Sequence, residues 1–116
     1  MTRDEVSAAY ASGRRDFTDL DLDADTIDLS GLSLDGADFS RCWIDASFDN
    51  SSLRHARFVK ANVKTCSFVN ADLTGADFRG AGLCYTEFAG AQLDDASFAG
   101  AFAHSHTFSD GELPPQ

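Results

Sequence analysis

Lys64, Cys84 and His104 stand twenty residues apart along the chain. If that interval brings them together, a lysine and an imidazole beside a thiol would favour the thiolate and make Cys84 a nucleophile or redox centre. His104 and His106 form an H-x-H pair of the kind that ligates metals. The run DLDLDAD, residues 19–25, is dense in carboxylates, as a calcium loop is. None of the three is completed. A thiol nucleophile needs a cleft and an oxyanion hole, which a flat wall does not offer. The histidines lack a third ligand, and His106 falls on an inward position. The aspartate run lacks the glycine and distal glutamate of a calcium loop, and no glycine-rich phosphate loop is present. No catalytic, cofactor or metal residue is therefore assigned, and the chain is expected not to be an enzyme.

The chain has 116 residues and a formal net charge of −10. That is one domain with a modest core. Its charge argues against direct nucleic-acid binding, because phosphates need Lys and Arg; an acidic surface is usually just solvated, and a basic partner is the sharper alternative. No apolar run approaches the ~18–20 residues of a membrane span, and the N-terminus lacks a signal-peptide core. Cys42, Cys66 and Cys84 are odd in number and have no metal-ligand spacing. Free thiols in a reducing compartment, hence a cytoplasmic location, are expected.

What would position Lys64, Cys84 and His104 is visible in ADLTGADFRGAGLCYTEFAGAQLDDASFAGA, residues 71–101. A large apolar residue returns every five positions, preceded two places earlier by a small one. Five suits neither a helix face nor a strand face. If all these residues face one core, the chain must turn once per repeat. The centres run Phe48, Leu53, Phe58, Val63, Phe68, Leu73, Phe78, Leu83, Phe88, Leu93, Phe98, Ala103 and Phe108. The small position is Ala in nine of these thirteen repeats, and the last position is Gly, Asn or Asp in eight. These residues tolerate positive φ, so each repeat carries its own turn signal, and a short fixed period means a solenoid. Phe fills every other centre from Phe48 to Phe108. An even number of faces keeps Phe on Phe, and two faces enclose no core. Four faces and twenty residues per coil follow.

The segments ADLTG, ADFRG and ASFAG resemble the pentapeptide-repeat family. The resemblance covers residues from about 30 to 110. It implies an all-β fold, a right-handed quadrilateral β-helix, and is nearly silent on function. Some family members are acidic rods that mimic DNA and protect type II topoisomerases from inhibitors and toxins. The resemblance therefore admits a DNA mimic, and an immunity or resistance factor, beside a plain protein-interaction module.

The ends depart from the repeat. Thr2 with Glu5 has capping-box spacing and Gly13 is a stop signal, so residues 1–14 are expected to form a capping helix. Residues 15–110 form the β-helix. Its first coil is degenerate, with Phe17, Leu22, Ile27 and Leu32 as centres, a two-residue slip to Leu34, then Phe39 and Ile44, and a four-residue slip to Phe48. Residues 111–116 read as a loose tail. With Phe108 poorly covered there, an end-to-end homodimer is one expectation.

Folding the sequence onto four faces stacks Asp38, Arg57 and Asp77 as acid, base, acid on face three. Face four carries Trp43, Lys64, Tyr85 and Phe102 outward. Trp43 and Phe102 stand where the motif has a polar residue. They either pack under the slip and over the open end, or, with Lys64 and Tyr85, form the contact site for a protein partner.

Overall fold

The computed structural model describes residues 1–116. Helix α1 spans Arg3–Ala11. Thr2 caps it: the Thr2 hydroxyl accepts the Glu5 N–H, and the Glu5 carboxylate accepts the Thr2 N–H. Two N–H groups without helical partners are satisfied this way. Val6 is buried beneath the helix, with Ala9 and Tyr10 packed beside it. The Tyr10 hydroxyl donates to the Asp35 carbonyl at 2.7 Å, and Arg3 donates to the carbonyls of Asp28 and Ser30. The helix thus closes one end of the core.

The rest of the chain winds. Strands β1 (Asp21–Asp28) and β2 (Trp43–Ser47) pair in parallel. Elsewhere each face holds only single parallel bridges, because a five-residue side leaves no room for a longer strand. The bridges fall into four columns, one per face. Face one runs Ser47, Ser67, Glu87 and face two Ser33, Ser52, Asp72, Gln92. Face three runs Asp16, Asp38, Arg57, Asp77, Ser97 and face four Trp43, Asn62, Gly82, Phe102. From Ser47 onward each column advances by twenty residues.

One hydrogen-bonding rule builds every side. A centre donates its N–H to the next coil, as Phe58 does to the Asp77 carbonyl at 2.7 Å, and Asp77 donates back to Ala56 at 2.9 Å. The corner is a β-turn, with the Ala61 N–H bonded to the Phe58 carbonyl at 3.1 Å. The residue before that closing N–H has positive φ, whether it is Gly75 (+70°) or Lys60 (+57°). The polar residue before each centre has a task as well. Asp38, Asn62, Asp72 and Asp77 each accept the N–H two residues on, at 2.9–3.1 Å. This Asx turn is why Asp or Asn precedes the centre. Where Ser replaces it at Ser52 and Ser67, Asp35 and Asp49 of the coil below cap Arg54 and Val69 instead.

The core is two interleaved phenylalanine ladders. Phe48, Phe68 and Phe88 stack on face one at 4.9–5.3 Å, and Phe39, Phe58, Phe78 and Phe98 on face three at 4.8–5.3 Å. The ladders meet edge to face, Phe68 against Phe78 at 5.5 Å. Offset stacks and edge-to-face pairs are both favoured ring geometries. Leu53, Val63, Leu73, Leu83 and Leu93 fill the other two walls and are buried. Polar residues at small inward positions are satisfied: Ser51 donates to the Phe48 carbonyl at 2.6 Å, and Thr86 to Val63 at 2.8 Å.

Three expectations are corrected. First, Ile27 and Leu32 are not centres. Leu29 is fully buried instead, and its N–H reaches the Ser47 carbonyl at 2.8 Å, so it starts face one below Phe48. The register breaks between Leu22 and Ile27, and residues 23–26 bulge outward. Second, the last repeat does not add a coil. The chain reverses at His104–Ser105, and β3 (Phe102–Ala103) pairs antiparallel with β4 (His106–Thr107). Phe108 is still buried, but His106 is exposed rather than inward. Third, the tail is not loose. Glu112 accepts the Ser109 N–H at 2.9 Å and bonds His106 Nε2 at 2.6 Å, and Pro114 is buried. Hairpin and tail occupy the end at which self-association was expected.

Candidate functional site

The winding lays face four out as two adjoining outward rows. Asp21, Trp43, Asn62, Gly82 and Phe102 form one, through the β1–β2 register and the bridges above it. Asp45, Lys64, Cys84 and His104, two residues further on in each coil, form the other, and Asp23 joins them from the bulge where the register breaks. Neighbours within a row are one strand spacing, ~4.8 Å, apart. Tyr85 projects from the corner beside them, at φ +59°.

The aromatics face solvent to an unusual degree: Trp43 is 57% exposed, Tyr85 72% and Phe102 48%. Phe102 lies back across Gly82, where an added β-carbon would come within 3.3 Å of its ring. A β-carbon there would make the ring give by a few tenths of an ångström. Tyr85 meets the His104 ring edge-on at 4.9 Å.

Trp43 and Lys64 line one cleft of about 240 Å³ with Asp23, Asp45, Asn62 and Thr65. Asp23 enters it on the bulge of β1. Asp45 accepts a hydrogen bond from the Thr26 hydroxyl at 3.1 Å. Its hydrogen bond with Asp21, then burial and the charges of Asp21 and Asp45, hold the Asp23 carboxyl above its ordinary value. Thr65 sits at φ +63°, a position that a β-branched side chain rarely takes. Tyr85 lines a second recess with Phe88 and Pro114, between the last coil and the tail. Asp23 and Thr65 were not legible as site residues: the first depends on the seven-residue step from Leu22 to Leu29, the second on a corner that in most repeats holds Gly, Asn or Asp.

The groups that suggested chemistry do not assemble it. The Cys84 sulfur accepts the His104 backbone N–H at 3.3 Å, while the His104 ring turns to Tyr85. His106 is engaged with Glu112. Burial pushes the Cys66 thiol up to about 12, and raises Cys42 as well. The three histidines and three cysteines form no group of three ligands with the acids. On face three, Arg57 pairs with Asp38 at 3.7 Å, but Asp77 turns to Arg79 of its own repeat at 2.8 Å, so the expected acid–base–acid stack is only half made.

No curated protein matches the chain. Among solved structures, the chain is similar to the pentapeptide repeat protein Rfr23 from the cyanobacterium Cyanothece 51142, with 23% identity and a TM-score of 0.58 over 82% of this chain. It spans 64% of that protein's chain. It is also similar to alr5209, a pentapeptide repeat protein from Nostoc Pcc 7120, with 28% identity and a TM-score of 0.53, covering 97% of this chain and 88% of that one. QnrB1, a plasmid-mediated fluoroquinolone resistance protein, is 22% identical over 74% of this chain and 69% of its own, with a TM-score of 0.38. The pentapeptide-repeats family model matches residues 46–83 and 65–100, in eight copies. Pentapeptide-repeat proteins fold as right-handed quadrilateral β-helices and are generally structural or interaction modules. A five-residue motif that winds into four parallel columns, and that this family model and the two cyanobacterial structures share, has one reading: the chain belongs to the pentapeptide-repeat family.

Proposed function

We propose that the chain is a non-enzymatic interaction module, a right-handed quadrilateral rod that docks a protein partner on face four. One observation carries this reading: Trp43, Tyr85 and Phe102 stay about half exposed or more along a single wall. Aromatic side chains present large contact area at small entropic cost, and such residues dominate binding energy where they cluster. The test is capture of partners by immobilised wild type and by Trp43→Ala/Tyr85→Ala, after both are shown to melt alike. A protein held by the wild type and released by the variant supports the reading. Identical captured sets sink it.

The charge favours a second reading, an acidic DNA mimic that binds a type II topoisomerase. The net charge is −10, and exposed Asp21, Asp23, Asp25 and Asp28 concentrate it on the first coil. A gyrase supercoiling assay with and without a quinolone decides it. Absence of protection at micromolar protein removes that reading and leaves the first intact.

A further inference from the structure

The cleft beside Trp43 has a polarity that specifies what enters it. Along the rod, Asp23 belongs to the first coil, Trp43 and Asp45 to the second, and Asn62, Lys64 and Thr65 to the third. One end therefore holds two carboxylates, the other end an ammonium group, and the indole stands beside the acidic end. The bulge of residues 23–26 brings Asp23 to the lining of the site. No ion pair engages the carboxylates there: the ion pairs of the chain use Asp19, Asp28, Asp38, Asp72, Asp77 and Glu112, none of them in the cleft, and Asp45 and Asp23 meet only the Thr26 hydroxyl and Asp21.

We propose that this cleft takes an arginine side chain from a basic segment of a protein partner. The guanidinium stacks on the Trp43 ring and donates to Asp23 and Asp45. A planar cation suits this site better than a lysine, because it offers an indole a flat face and two carboxylates a fork of N–H groups. Lys64 sets direction, since its charge pushes a cation toward Asp23 and leaves room beside itself for a carboxylate further along the same segment. This rests on the reading of face four as a docking surface and names the chemistry of its anchor.

Trp43 is the one tryptophan of the chain, so its fluorescence reports on this cleft alone. The full chain is titrated at physiological salt with an alternating arginine–glycine peptide, and with counterparts carrying lysine, citrulline or glutamate. A saturable change in emission is expected for the arginine peptide. It should be weaker for lysine and absent for citrulline and glutamate. Asp23→Asn/Asp45→Asn should weaken binding about tenfold or more, and Lys64→Ala should strengthen it, a gain that misfolding does not produce. If the citrulline or glutamate peptide binds as well as arginine, the cationic anchor is overturned while docking on face four stands. If no peptide perturbs Trp43, the anchor is overturned too, and the docking face is then judged by partner capture. Unchanged affinity in Asp23→Asn/Asp45→Asn also overturns the anchor.

Discussion

The imidazole of His55 occupies the place where a β-carbon on Gly75, one coil further on, would have to sit. Asn70 blocks Gly90 in the same way, and Lys60 presses more lightly on Gly80, its Cγ 3.2 Å from an added β-carbon. At these corners the side chain of one coil reaches over the glycine of the next, whereas Asn50 with Asn70 and Thr65 with Tyr85 stack two side-chain-bearing corners. Gly75→Ala should cost about 1–2 kcal/mol, from its φ of +70° together with the collision. His55→Ala in the same chain should recover only the part due to the collision. Gly36→Ala, at φ +73° with open space around it, should cost about 1 kcal/mol. Denaturant unfolding of the set measures each part, and equal losses at Gly75 and Gly36 would remove His55 from the account.

Phe78 stacks on Phe58 and on Phe98, both at 4.8 Å, and meets Phe68 and Phe88 edge-on. Phe78→Ala should cost about 3–5 kcal/mol through the cavity it leaves, and Phe78→Asp should unfold the middle coils. Its neighbour Asp77 points out to Arg79 and caps one turn. Asp77→Ala should cost about 1 kcal/mol. Similar losses at the two positions would reverse the inward and outward assignment.

Thr65 holds φ +63° at an exposed corner, its hydroxyl bonded to the Lys64 carbonyl at 2.6 Å. Asn tolerates this region of backbone space and Thr does not. Thr65→Asn should stabilise the fold by about 0.5–1 kcal/mol. Thr65 also lines the cleft, so a raised melting temperature with weakened peptide binding would show that the strain is retained for the site.

The Asx turns make stability sensitive to acid. Hydrogen bonds from the Thr18, Ser30 and Thr74 hydroxyls, then from the backbone N–H of the same residues, hold Asp16, Asp28 and Asp72 below the ordinary carboxylate value of 3.8. A carboxyl depressed in the folded chain contributes stability above its unfolded value, and loses it as pH falls through the folded one. The melting temperature should hold steady down to pH 3.8 and fall below it. Asp72→Asn keeps the acceptor oxygen without the titration, so its melting curve should depend less on acid. A variant as acid-sensitive as the wild type would place the effect elsewhere.

Period and packing were legible in the chain from Phe48 to Phe98, because small residue, centre and turn residue all repeat at five and each is demanded by one corner of the coil. In the first coil the five-residue spacing points to Ile27 rather than Leu29, because the motif itself moves there. Ile27, Asp28, Leu29, Ser30 and Gly31 form a repeat two places out of phase, with a large residue at its small position but the Asp28 turn cap and the Gly31 corner both present. Motif chemistry identified Leu29 where spacing did not. The far end misled in the opposite way. Phe108 keeps its phase and its burial, yet reaches the core by a reversal that no periodicity encodes. The cleft lay beyond the sequence for the same reason: a bulge, a local exception to the repeat, completes it, and only its Trp43, Asp45, Asn62 and Lys64 follow from the repeat as neighbours on one wall.

The four columns of bridges also govern how such a chain can change in length. An insertion or deletion of twenty residues leaves every later side chain on its own face. One of ten turns the remainder by half a revolution, which still sets phenylalanine on phenylalanine but parts His55 from Gly75 and divides the two rows of face four. One of five sets phenylalanine against leucine throughout. Lengthening is therefore stepwise, with the core accepting half-coil steps and the surface only whole ones, so descent by duplication preserves a binding wall only in multiples of a full revolution.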